Sequence, residues 1–358
     1  MSSGKHLFDA AYHCEIIEPG MSRHESASAN NIITLFAVYE LPAPLALEAD
    51  GFDASIPVAI GKLSGSLVTP KLVWPKNDPH IIGPAISEQA TVLLDQGSGR
   101  KGQWFFWGQV STWNIKTKAV PWAWLGAVLL KLATPARDIS YSEYIYGLGH
   151  PIGPPIDQLY SDIDTWFEGL RMWIEVICDQ DADPGAPLRS VTVTGQGLRV
   201  WTEEAGVVSL PSSANRATTI WRNPEPIARK TLTRVVNLLA TQPQPSDAHL
   251  ILRDARAAHR RHRLRQAVID AGSAVEIVLA DFNRAVTRVT TPSKPTLGWY
   301  VDQPKIAAQA SLPAYTKRDL VEKRNDAIHN NVAPSWSETA QALKLARQII
   351  NNLEPLPI

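Results

Sequence analysis

Near the end of the sequence, Lys323-Arg-Asn-Asp-Ala-Ile-His329 brings together an arginine, an amide and a histidine. A guanidinium offers a planar fork of donors that matches a carboxylate or a phosphate, and an imidazole can carry a proton near neutral pH. The segment reads as a helix from about Thr316 to Asn330, stopped by Asn330-Asn331 and Pro334. Leu320, Arg324 and Ile328 fall at i, i+4 and i+8, and Val321, Asn325 and His329 form the adjacent row. This spacing predicts Arg324, Asn325 and His329 on or beside the apolar stripe, with Lys323 and Asp326 toward solvent. A charge in such a place costs free energy unless it is paired. His329 falls in the last turn, where the helix dipole favours a cation. The same pattern also fits a purely architectural role, with Arg324 in an internal salt bridge and His329 as a helix cap.

Glu276 is the expected partner of Arg324, or else a carboxylate at an exposed edge of its helix. It is the only charged residue in Ala271-Gly-Ser-Ala-Val-Glu-Ile-Val-Leu-Ala280, and a carboxylate in those surroundings needs a cation. A third feature is the run from Arg253 to Arg265, which holds six arginines and two histidines in thirteen residues. Arg253, Arg256, Arg260, Arg261 and Arg263 are candidates for following a nucleic-acid backbone. A solvated helix face accounts for the run equally well. His259-x-x-His262 has metal-like spacing but no evident third ligand, so no metal and no cofactor is expected. Asp179 to Gly185 departs from a calcium loop, and Gly97 to Gly102 from a phosphate loop. The twelve tryptophans fall mostly in strand-like runs or on helical apolar faces and read as core.

The elements that would position these residues divide the chain in three, and the expected class is α+β. Residues 1–150 read as β-rich, with strands at Ile32 to Tyr39, Val58 to Ile60, Ser66 to Trp74, Ala90 to Leu94 and Gln103 to Trp113, and a loop at Gln96 to Gly99. Residues 151–245, expected to be continuous with that region, follow a breaker-rich hinge at Gly147 to Pro155. They hold a helix at Ile156 to Cys178, a hairpin at Ser190 to Thr202 and a helix at Ile227 to Ala240. Thr241-Gln-Pro-Gln-Pro-Ser246 is a short stiff linker. Residues 246–358 read as a helical bundle, with helices at Asp247 to Arg260, Leu264 to Val289 and Thr316 to Asn330. Thr290 to Pro313 is a looser connection, and a capping box at Ser335 to Glu338 opens the last helix.

The 358 residues carry no net charge, but the balance is uneven. From Ser246 onward there are 16 Lys and Arg against 11 Asp and Glu, or +5, which leaves −5 for the rest. A basic C-terminal unit is compatible with a phosphate-bearing partner. Two cysteines, Cys14 and Cys178, argue against a disulfide scaffold or a zinc ribbon. The longest apolar run, Ala119 to Leu130, contains Pro121 and is too short to span a bilayer. The expectation is a cytoplasmic protein with no membrane contact.

The C-terminal third resembles the HEPN superfamily, specifically its ApeA-like branch. The likeness rests on Arg324-Asn-Asp-Ala-Ile-His329 together with Leu252-Arg-Asp-Ala-Arg256, Gln266-Ala-Val-Ile-Asp-Ala-Gly-Ser-Ala-Val-Glu276 and the approach Leu320-Val-Glu-Lys-Arg324. It covers about residues 246–354; the closeness of Pro334 to His329 makes the motif helix short. The resemblance implies a metal-independent endoribonuclease of toxin or phage-defence type. In it Arg324, Asn325 and His329 would be catalytic, Glu276 supporting and RNA the substrate. It also implies a homodimer with a composite site, and an antitoxin or phage-derived trigger protein as a possible further partner. The alternative is a non-catalytic module that binds nucleotide or RNA and dimerises, with a protein-binding N-terminal region.

Overall fold

A computed structural model describes residues 32–74, 79–84, 107–110, 114, 116–135, 140–142, 150–152, 154–178, 180, 198–202 and 225–357. The expected strand at Ala90–Leu94, the Gln96–Gly99 loop and the Ser190–Gly197 part of the hairpin lie outside them, as do residues 147–149 and 153 of the expected hinge and most of the strand expected at Gln103–Trp113. The protein is α+β, with antiparallel sheet in the N-terminal part and helices in the C-terminal part.

The sheet is built on two long strands, β1 (Ile32–Glu48) and β7 (Trp122–Pro135). They pair antiparallel from Ile32 opposite Pro135 to Glu48 opposite Trp122, with a register shift between Glu40 and Leu45. β2 (Ser55–Ile60) and β3 (Leu63–Val68) form a hairpin that pairs through β3 with β7. β2 alternates strictly, with Ile56, Val58 and Ile60 inward and Ser55, Pro57 and Ala59 outward. β4 (Lys71–Val73) pairs with β5 (His80–Ile82), and β6 (Gly108–Gln109) adds to β7. β8 (Ser140–Ser142) pairs with β9 (His150–Ile152).

The run read only as too short for a membrane is therefore the central strand of the sheet. Val128, Leu129, Leu130 and Leu132 of β7 are all buried. A strand covered on both faces shows no alternation in its sequence, so the period-two signal is missing where the strand matters most.

The long helix α1 (Pro154–Cys178) packs Ile163, Trp166, Phe167, Leu170, Trp173 and Ile174 into the same core as the sheet. The Phe167 ring stacks on Tyr39 of β1 at 4.3 Å between centroids. β10 (Leu198–Thr202), the described arm of the expected hairpin, pairs with β1. The helix α2 (Arg229–Leu239) completes this core with Leu232, Val235, Val236 and Leu239.

A second buried cluster begins at Ala248, beyond the Thr241–Ser246 linker. It lies among α3 (Asp247–Arg260), α4 (Leu264–Phe282), the short α5 (Leu297–Asp302) and α6 (Pro304–Gln309), α7 (Lys323–His329) and α8 (Trp336–Leu353). Two π-helical turns interrupt the α geometry, at Asn283–Thr287 after α4 and at Lys317–Glu322 before α7. The short helices replace the expected loose connection. Their signals were present: Thr296 accepts from the Trp299 amide at 3.3 Å as N-cap of α5, and Pro304 opens α6. The capping box of α8 forms. The Ser335 Oγ accepts from the Glu338 amide at 3.2 Å, and the Glu338 carboxylate accepts from the Ser335 amide at 2.8 Å.

Candidate functional site

Arg324 reaches from α7 onto α4, and α4 is shaped to receive it. Gly272 lies one turn before Glu276 on α4, and a Cβ there would stand 2.3 Å from the Arg324 Cδ. The missing side chain is thus a seat for the arginine stem. Farther out, the Arg324 Nη2 lies 3.1 Å from the Glu276 Oε2, as the isolated carboxylate in the sequence led us to expect. The Leu297 amide at the start of α5 donates to the same oxygen at 3.0 Å, so three elements fix this carboxylate. The Arg324 and Glu276 side chains are 18% and 29% exposed. A pair so placed is only partly desolvated and remains reachable from outside. The Arg324 Nε is buried with no acceptor among the described residues.

The rest of α7 is oriented differently from the expectation. Asn325 and His329 are exposed, while Lys323 and Asp326 are half-buried. On a helix of 3.6 residues per turn each four-residue step advances by about 40°. The row that begins at buried Val321, in the π-helical turn before α7, is out at solvent by Asn325, and the α-helical drift keeps His329 there. Lys323 pairs instead with Glu338. That hydrogen bond, helped by those from Ser335, holds the Glu338 carboxyl down at about 2. The Asp326 carboxylate accepts from the Asn330 side chain at 3.0 Å. Its carbonyl takes the amides of Asn330 and Val332, each at 3.1 Å, and Asn331 adopts a left-handed φ of 54° that ends the helix. Arg265, at the start of α4, donates from Nε to the Ala327 carbonyl at 2.6 Å. Among the described residues the side chains of Asn325 and His329 have no hydrogen-bond partner. Ile328 and Val332 lie exposed beside them.

The arginine run does not form one track. Arg253 points back to α1, with Nη1 3.0 Å from the Glu175 Oε2, and also pairs with Asp254. Arg256 is 9% exposed, and its Nη2 donates to the carbonyls of Glu175 and Val176 at 3.0 and 3.1 Å. Both are therefore removed from the candidate nucleic-acid surface: they cap the last turn of α1, where cations complement the helix dipole. Glu175 is buried and also takes Arg171 at 3.1 Å. Arg260 and Arg261 are half-buried, and Arg263 is exposed. His259 and His262 turn to Trp336, which is exposed, unlike the core tryptophans Trp166 and Trp173.

Sequence reasoning missed Gly272, the Leu297 amide, Glu175 and the Trp336 cluster. A glycine inside a helix and an acid within Trp173-Ile-Glu-Val-Ile were the available signals for two of them. Among the described residues no group of three or more His, Cys, Asp or Glu is placed to hold a metal ion, and no helix is long and apolar enough to cross a membrane. No protein-family model, curated protein or solved structure matches this chain.

Proposed function

We propose that the C-terminal unit is a HEPN-like bundle and that the protein is a metal-independent endoribonuclease of toxin or phage-defence type. The observation that carries this reading is the arrangement on α7: Arg324 seated on Gly272 and tethered to Glu276, with Asn325 and His329 free on the outer face. RNA holds its own nucleophile. Attack of a 2′-OH on the adjacent phosphorus breaks the P–O5′ bond and leaves a 2′,3′-cyclic phosphate and a 5′-OH. The reaction needs a proton removed from the 2′ oxygen, a proton given to the 5′ oxygen and charge stabilisation on the phosphoryl oxygens. His329 is the proton carrier and Arg324 the group that meets the phosphate. Asn325, one turn before His329 on the same face, orients the imidazole or the substrate.

A single histidine has two proton transfers to serve. The reading therefore includes a homodimer in which two α7 helices face each other and each chain supplies one His329. The exposed Ile328 and Val332 beside His329 support such a contact. The N-terminal sheet unit would then restrain the enzyme or sense a trigger protein.

The test is digestion of a labelled RNA by the purified full chain in excess EDTA. The expected result is cleavage to 2′,3′-cyclic phosphate ends, lost in both Arg324→Ala and His329→Ala. Activity that survives His329→Ala would sink the assignment, and RNA bound but never cut would identify a binding and dimerisation module instead.

A further inference from the structure

Trp336 is the first residue of α8 and is 45% exposed although two imidazoles lie against its ring. The His259 ring stacks on the indole at 3.7 Å, inclined by 29°, and its Nε2 lies 3.3 Å from the Trp336 carbonyl oxygen. The His262 ring is 4.7 Å away, tilted by 37°. The capping box at Ser335 fixes the backbone beneath the indole. The residue is therefore held at its base by the helix start and stays exposed, unlike a core tryptophan.

The backbone at His262 is also informative. It takes a left-handed φ of 58° just after α3, a position where glycine is the least strained residue. A histidine there costs conformational energy and brings an imidazole to Trp336. The flanks are cationic. Arg263 is exposed and has no ion-pair partner among the described residues. Arg265 holds a carbonyl rather than an acid, and that carbonyl belongs to Ala327, two residues before His329. The same bond places the Trp336 corner and the outer end of α7 at one end of the helical unit. The nearby acids Glu338 and Asp270 are engaged by Lys323 and Gln266.

A rigid open aromatic surface with cations beside it matches single-stranded nucleic acid, whose bases stack while its phosphates pair. We infer that Trp336, with His262 and Arg263, is a stacking subsite for one unpaired base of single-stranded RNA. This rests on the ribonuclease reading and narrows its substrate to RNA that is unpaired next to the cleaved bond. Stacking tolerates any base, so the subsite selects for strandedness rather than sequence.

The inference is tested with fully 2′-O-methylated RNA, which lacks the nucleophile and cannot be cut by the proposed chemistry. Fluorescein-labelled single strand and duplex of equal length are titrated with the full chain at one salt concentration and followed by anisotropy. Trp336→Leu is expected to weaken single-strand binding by about tenfold or more and to leave duplex binding unchanged, whereas Trp336→Phe stays within about threefold of wild type. His262→Gly removes the imidazole and relieves the backbone. It should weaken the single strand while the melting temperature stays level or rises, which separates the effect from a folding defect. Wild-type single-strand affinity in Trp336→Leu overturns the subsite, as does an equal loss for single strand and duplex. If the wild-type chain binds neither form, the ribonuclease reading falls with it. If wild type cuts RNA and Trp336→Leu is indifferent, only the subsite falls.

Discussion

The arginines along and just beyond α3 meet two different surroundings. Arg253 and Arg256 turn to α1, where a buried carboxylate and two helix-end carbonyls wait for them. Arg263 and Arg265 follow the left-handed break at His262 and stand at the outer end of the helical unit. Their composition is the same; what differs is the acceptor on the facing surface. Where a neighbouring element supplies a buried carboxylate or the open carbonyls of a helix end, the guanidinium becomes architecture. Where none is supplied, as at exposed Arg263, the charge stays available to a ligand. Arg324 stands between these cases, paired with Glu276 yet partly open.

The comparison breaks first at Glu175. Glu175→Ala leaves Arg171 and Arg253 without their shared partner and is expected to cost about 3 kcal/mol in urea unfolding. A loss under about 1 kcal/mol would mean that the α1 contact is not architectural. Next is Gly272→Ala, which fills the seat of Arg324. Cleavage of RNA should fall by at least about tenfold, because Arg324 must shift by an ångström or more. Unfolding free energy should change by no more than about 1 kcal/mol, since alanine favours the helix. Salt dependence sharpens the contrast within the run. Arg263→Ala should lower the slope of log affinity against log salt for single-stranded RNA by about 0.7, and Arg253→Ala should not change it.

The smallest effect is expected at the capping box of α8. Ser335→Ala should cost about 1 kcal/mol. The pH dependence has a definite sign, because Glu338 is held at about 2 against an ordinary 4.5. Its contribution to stability is complete above about pH 4.5 and is lost as pH falls toward 2. Glu338→Gln should flatten the acid limb of a denaturation series, and an unchanged limb would show that the Lys323 contact does not persist in solution.

What the sequence made legible was local. The capping box that opens α8 follows from side chains acting on their own backbone. The Glu276–Arg324 contact was legible because an ion in an apolar run has few places to go. Three features were not. β7 has no alternation because both its faces are covered. The exposure of Asn325 and His329 depends on drift that two-step row counting overlooks. The fate of Arg253 and Arg256 was decided by Glu175, some 78 residues away along the chain. Nearness in sequence placed the arginines together, and only the facing helix could separate them.

The junction between the two units has a mechanical consequence. The Thr241–Ser246 linker passes so close to α1 that a Cβ on Gly169 would lie 2.4 Å from the Pro243 carbonyl oxygen, and Trp173 donates from its indole to the Gln242 carbonyl at 3.0 Å. Arg253 and Arg256 grip the last turn of α1, and Leu356 packs against the sheet core from the far end of the chain. A joint fastened at separate points on one rod is not a hinge. It carries torque, so a twist or a shift of α1 along its axis reaches α3 directly, and swinging one unit away from the other requires tearing several fastenings at once.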